Sequence, residues 1–300
     1  MRAILKIHLE PMSLPIPPEL EEPGEYVYLP GSVVRGVVRV LVHRPTRFCF
    51  LDAVLERLEE RTENHRHTGI PQRRSTVAFR KSIRIAEDVV AVPPEIHARF
   101  QLRIPEDAPP SFYEHRVRSN APIWEPRALQ LLHYDHTAYW QIRVVAEQED
   151  GYFVEHSVPI VIPPVVERVG ELTEYTFAGR SSKIYIRLPS SCVKPASLLE
   201  GLVRIEKLPS RCRRATLELV LEERKRATRW VVARHYIPLR RSEDLLFSVP
   251  IPAWLFPSKG VDHEFETYLV LRLERSFGLD LEHRIPLTVA YPRSLFEQSR

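Results

Sequence analysis

Glycine, cysteine and methionine are scarce in this 300-residue chain, at 10, 3 and 2 residues. So few glycines leave no glycine-rich loop to cradle a phosphate, and no serine sits in a strained glycine elbow. The three cysteines, Cys49, Cys192 and Cys212, form neither an even disulfide set nor metal-ligand spacing. Cys49 lies in an apolar run and reads as a small buried hydrophobe. No run approaches the roughly 18 apolar residues a membrane-spanning helix needs. Nothing at the N-terminus resembles a signal peptide. No long segment has the 3.6-residue period of a helix. No paired-acid motif occurs. These absences lead to the expectation of a soluble cytoplasmic protein that is not an enzyme and carries no cofactor or metal. A net charge of +4 is mild for this length and does not imply nucleic acid.

Proline is abundant instead, at 27 residues. Its ring is excluded from helix interiors and central strand positions, so many prolines punctuate short strands and stiffen loops. Stiff loops, mostly arginine cations and few labile residues fit a thermophile. The hydrophobic fraction of 44% supports real cores, and 300 residues suffice for two domains.

The organising stretch is Tyr28-Leu-Pro-Gly-Ser-Val-Val-Arg-Gly-Val-Val-Arg-Val40. Val34, Gly36, Val38, Val40 and Val42 alternate with Arg35 and Arg39, the period of a half-buried strand after a Pro30-Gly31 turn. It recurs as Val193-Lys-Pro-Ala-Ser-Leu-Leu-Glu-Gly-Leu-Val-Arg-Ile205, with Gly201 for Gly36. Three more echoes follow in the same order. Phe100–Pro105 matches Phe247–Pro252, Tyr139–Val144 matches Tyr268–Leu273, and Val158–Ile162 matches Ile285–Val289. Ordered echoes argue for two copies of one β domain. The expected fold is all-β, two tandem antiparallel, immunoglobulin-like β-sandwiches, divided as 1–164 and 165–300. Pro163-Pro164 should begin a stiff connector running to about Gly170.

Arg47–Glu60 and Thr76–Ile85 are expected to pair as a hairpin. The polar Arg61–Ser75 between them should be a projecting loop, and it supplies the candidate partner-binding residues His65, Arg66, His67, Arg73 and Arg74. Glu114–His136 reads as an insertion of the first half alone. Trp124 and Trp254 lie in proline-rich loops, where aromatic side chains can anchor a partner. Trp140 and Tyr268 lie in strands and read as core. His133-Tyr-Asp-His136 offers two imidazoles and a carboxylate to a metal, with no third ligand fixed by sequence; His65-Arg-His67 offers less. Three basic stretches, Gln72–Ser75, Arg211–Arg214 and Arg224–Arg226, have acids interleaved nearby and read first as ion-paired surface.

The pattern resembles the arrestin-like family. The resemblance rests on Tyr28-x-Pro-Gly-Ser-x-x-x-Gly-x-Val, on Phe100-x-Leu-x-Ile-Pro105 with Pro110-Ser-Phe112, on Tyr139–Val144 and Val158–Ile162, and on Ile251-Pro252 and Tyr268 in the second half. It spans nearly the whole chain. It implies an arrestin-type pair of sandwiches acting as a non-enzymatic adaptor or scaffold, related to sporulation-control and retromer cargo-subunit proteins. By position, Arg61–Ser75 would match the loop that inserts into a receptor. No Pro-Pro-x-Tyr motif follows any of the four proline pairs, which argues against recruitment of WW-domain ubiquitin ligases. The functional expectation is a protein-binding adaptor, present as a monomer or an edge-paired homodimer. The alternative is a module that binds membrane headgroups or nucleic acid through its arginine clusters, and the third reading is a metal-dependent function at His133 and His136.

Overall fold

The computed structural model describes residues 3–12, 26–64, 71–113, 135–179, 182–225, 228–240, 243–253, 255, 258–261, 264–276 and 279–297. The fold is all-β. Among the described residues the one helical piece is a 3-10 turn, Arg293–Phe296. Two compact units emerge, Met1–Tyr113 with Tyr134–Pro163 in the first, and Pro164–Arg300 in the second.

The first unit carries β1 (Ile4–Leu9), β2 (Tyr26–Val27), β3 (Val33–Leu41), β4 (Thr46–Asn64), β5 (Pro71–Ala91), β6 (Glu95–Arg103), β7 (Phe112–Tyr113), β8 (Asp135–Gln148) and β9 (Phe153–Val161). One sheet runs β1-β3-β6 and the other β2-β9-β8-β4-β5, with β7 also on β8. The second carries β10 (Val165–Val166), β11 (Thr173–Ala178), β12 (Lys183–Leu188), β13 (Cys192–Val193), β14 (Ser197–Lys207), β15 (Cys212–Glu223), β16 (Thr228–Ile237), β17 (Asp244–Ile251), β18 (Ser258–Lys259), β19 (Glu264–Arg275), β20 (Leu281–Val289) and β21 (Tyr291–Pro292). Its sheets run β11-β12-β14-β17 and β13-β20-β19-β15-β16, with β18 on β19. The second unit therefore repeats the strand order of the first and adds β11 at the edge of the smaller sheet. The parallel pairing of β2 on β9 recurs as β13 on β20.

Period-2 sequence explains these elements. β3 buries Val34, Gly36, Val38 and Val40 and turns Arg35 outward. The side chains of β1, β3 and β6 meet those of β4, β8 and β9 in one apolar cluster, the interior of a sandwich. Trp140 is buried there, and its indole N–H donates to the Pro109 carbonyl at 2.9 Å. Gly36 lies opposite Phe100 in the ladder, and Gly201 lies opposite Phe247. In each pair the ring occupies the place of the missing side chain: an added Cβ would stand 2.6 Å from the ring's Cζ. The entry turn is repeated as well. Gly31 has φ 80° and its counterpart Ala196 has φ 54°.

Four expectations need correction. Arg61–Ser75 is not a loop over its whole length: β4 runs on to Asn64 and β5 begins at Pro71, with Arg61 opposite Arg74 and Glu63 opposite Gln72, and residues 65–70 lie outside the described residues. A strand that is polar on both sides still completes its ladder, so polarity alone misplaces the end of such a hairpin. Cys49 is exposed, because the extra residue at a bulge between Phe48 and Phe50 leaves the ladder. Tyr268 is half-buried, with its hydroxyl donating to Glu266. The stretch after Pro163-Pro164 is not only a connector, since Val165–Val166 pairs with Tyr291–Pro292.

One contact in the second unit bridges its two sheets. The His283 ring of β20 stacks on Phe177 of β11 at 4.5 Å and 24°. Burial pushes the His283 pKa below its ordinary 6.5, and its Nε2 is buried without a hydrogen-bond partner. The unfolded chain then binds the proton more readily than the folded one. Stability from the neutral ring is fully present above pH 6.5 and falls as pH drops toward the lower folded value. Thermal midpoints taken from pH 8 to 5 should show a fall for the native chain that is shallower in His283→Phe. Parallel curves would contradict the assignment.

Candidate partner-binding surface

β4 is central in its sheet, between β8 and β5, while β5 is terminal. β5 is a 21-residue strand with no strand or backbone partner on its far side among the described residues. Its apolar residues hold it to the sandwich: Phe79, Ile83, Ile85, Ala86 and Val89 pack on the core, and the Phe79 ring lies 5.4 Å from Trp140. Register shifts between Leu51 and Asp52 and between Arg57 and Leu58 leave Phe79–Arg84 as a regular run between two irregularities. Such bulges add twist and interrupt an edge.

Charge decorates this strand unevenly. Arg73 pairs with Glu60, and Arg84 pairs with Asp52 while its guanidinium lies 4.8 Å over the Phe50 ring. Arg47 grips Asp88 with two hydrogen bonds of 2.6 and 2.7 Å, which holds the Asp88 carboxyl below the usual carboxylate range. Arg74, Arg80 and Lys81 are exposed and have no acidic partner among the described residues. Near the hairpin end, Arg57 and Glu59 form an ion pair whose side chains are 3% and 1% exposed. Burial pulls the Arg57 pKa down, and Glu59 opposes that shift.

A buried glutamate beneath each hairpin completes the picture. In the first unit Glu56 lies opposite Gln141 and Arg80. It accepts from Gln141 Nε2 at 2.6 Å and pairs with Arg143 at 2.9 Å; Arg143 also reaches Glu155 at 3.0 Å. In the second unit Glu218 lies opposite Val270 and Arg234. Its side chain is 0% exposed and meets Arg234 at 2.6 Å and both Arg229 and Arg272 at 3.5 Å. Glu282 takes the same two outer arginines at 2.9 and 2.8 Å. A carboxylate so clamped holds strands together and has neither a nucleophile nor a free acceptor to offer to chemistry.

The sequence-predicted residues fall unevenly. Arg73 and Arg74 are neighbours on β5: Arg73 pairs with Glu60, and Arg74 has no acidic partner among the described residues. His65, Arg66, His67, Trp124, His133 and Trp254 lie outside the described residues. His136 enters β8 opposite Arg61, and its side chain is likewise outside them. Among the described residues no three of His, Cys, Asp and Glu gather as metal ligands. Arg214 pairs with Glu274 at 3.8 Å and Arg224 with Glu266 at 2.9 Å, so these two basic stretches are partly ion-paired. No described helix is long and apolar enough to cross a membrane.

The buried glutamates were missed by sequence reasoning. Their signal was present in the echoes: Ala53-Val-Leu-Glu56 and Ala215-Thr-Leu-Glu218 share a spacing, as do Arg143 and Arg272 in the paired aromatic strands. In comparisons with known proteins, no family profile and no curated protein matches the chain.

Proposed function

We propose that this protein is a non-enzymatic, arrestin-like adaptor that binds protein partners through the sheet edges and loops of its β-sandwiches. The observation that carries the reading is the edge of β5, a 21-residue strand with no strand partner on its far side among the described residues, on a sandwich whose strand order is built twice. A rigid sheet with an open edge suits display: an extended peptide adds a strand, main-chain hydrogen bonds give affinity, and side chains select the sequence. The family resemblance of the echoed motifs supports the same role. A cytoplasmic location goes with this role as part of the proposal.

Binding to membrane headgroups or nucleic acid through arginine clusters has less support. Arg73, Arg84, Arg214 and Arg224 are already engaged by carboxylates, and exposed ion-paired arginines have little left to offer a polyanion.

Capture from the source organism's lysate tests the proposal. The full chain should retain a discrete protein. A chain that retains no protein under mild, low-salt conditions contradicts it.

A further inference from the structure

The two units provide an internal comparison. β16 occupies in the second unit the terminal place that β5 occupies in the first. It is 10 residues long, and its arginines are drawn onto the sheet: Arg229 and Arg234 are 22% and 20% exposed and clamp the buried Glu218. Arg80 stands where Arg234 stands, directly opposite the buried glutamate of its own unit. Yet Glu56 is satisfied from the other side by Arg143 and Gln141, so Arg80 is exposed and has no acidic partner among the described residues. Lys81 next to it is also exposed without an acid, and Arg74 lies farther along the strand. The chain has thus lengthened this edge and released cations that its counterpart holds back.

From this we infer that the free edge of β5, centred on the regular run Phe79–Arg84, is a docking site for an extended acidic peptide segment. The inference rests on the adaptor reading and names the site and the chemistry of its occupant. The backbone of the run presents unpaired N–H and C=O groups to an added strand. Successive side chains of a strand point to opposite faces, so Arg80 and Lys81 flank the added strand on both sides. Aspartate or glutamate at neighbouring positions of the guest would meet both. The same charges disfavour a second copy of this chain in the register that sets Arg80 opposite Lys81, where cation meets cation across the strands.

The test uses the full chain and three labelled eight-residue peptides in fluorescence anisotropy. One has pairs of adjacent glutamates separated by single valines, so that each pair presents an acid on both faces; one has lysine pairs in the same places; and one keeps the glutamates but replaces two valines by proline. The first should bind. The lysine peptide should not, and the proline peptide should lose at least tenfold in affinity, because proline cannot donate to a ladder. R80E/K81E should weaken the glutamate peptide at least tenfold and favour the lysine peptide. If that variant has a lowered thermal midpoint, R80Q/K81Q serves in its place with the same expected direction.

Equal binding of the proline and glutamate peptides would overturn strand addition. Tighter binding of R80E/K81E-sensitive chain to phosphatidylserine vesicles or single-stranded DNA than to the glutamate peptide would assign the edge to another polyanion and overturn the proposal. Concentration-dependent dimerisation abolished by R80E/K81E would assign it to self-pairing, also against it. A lysate partner that R80E/K81E retains in full would sink this site while leaving the adaptor reading intact; absence of any partner for the native chain would sink the adaptor reading.

Discussion

Replacing Glu218 by alanine is expected to destabilise the second unit by about 4 kcal/mol, because removal of one member of a buried ion cluster leaves the others desolvated and unopposed. Glu218 is fully buried, and Arg229, Arg234 and Arg272, which surround it, are 20–27% exposed. After the substitution Glu282 still pairs with Arg229 and Arg272, but the carboxylate that all three guanidinium groups share is gone. The cluster draws on β15, β16, β19 and β20, so its loss loosens the whole six-stranded sheet rather than one strand. A fall in thermal midpoint on the order of 10 °C for that unit follows from the usual scaling. Glu222 provides the control. It is 20% exposed and pairs with Arg284 at 2.7 Å, so Glu222→Ala should cost less than about 1 kcal/mol. Equal effects of the two substitutions in urea unfolding would mean that the Glu218 cluster is not load-sharing.

Gly201→Ala should cost about 3 kcal/mol, at the upper end of overpacking penalties. The added methyl group would meet Phe247 Cζ at 2.6 Å and the Arg187 carbonyl oxygen at 2.7 Å. A ring can turn aside; a carbonyl fixed in the β12–β14 ladder cannot without breaking register. Gly36→Ala should be milder, since its ring contact is the same but the nearest carbonyl, from His8, stands at 3.0 Å. Phe247→Leu in the Gly201→Ala background should recover about 1 kcal/mol relative to additivity, the part due to the ring. A stabilising Gly201→Ala, the ordinary result of removing glycine from a strand, would show that the close approach is absent.

Much of the fold was legible because strands bury alternate residues. β3 and β12 follow their apolar spacing, and the echoed stretches fall on strands in equivalent places. The Gly36 and Gly201 positions were visible as part of the repeat, but the reason for glycine was not, since Phe100 and Phe247 reach them from neighbouring strands far away in sequence. The hairpin end was misread because its residues are polar on both faces, and pairing of Glu60 with Arg73 leaves no apolar pattern to follow. Cys49 was misread because a bulge breaks the alternation that places neighbours inside. The buried glutamates were invisible for a related reason: a charged residue is placed inside only when cations from other strands meet it, and those meetings are set by register.

The candidate edge was half legible. Arg73 and Arg74 were singled out and lie on the strand proposed here as the edge, but Arg80 and Lys81 passed as ordinary strand residues. Their meaning comes from comparison with Arg234, which the same register seats on a buried acid.

The most direct test is amide hydrogen exchange along the full chain, with and without the glutamate–valine peptide. Strand addition at β5 predicts slowed exchange within residues 79–84 and unchanged exchange in Thr228–Ile237, the equivalent edge whose arginines are held inward. Protection confined to Thr228–Ile237 or to the β11-β12-β14-β17 sheet, with residues 79–84 unchanged, would contradict it.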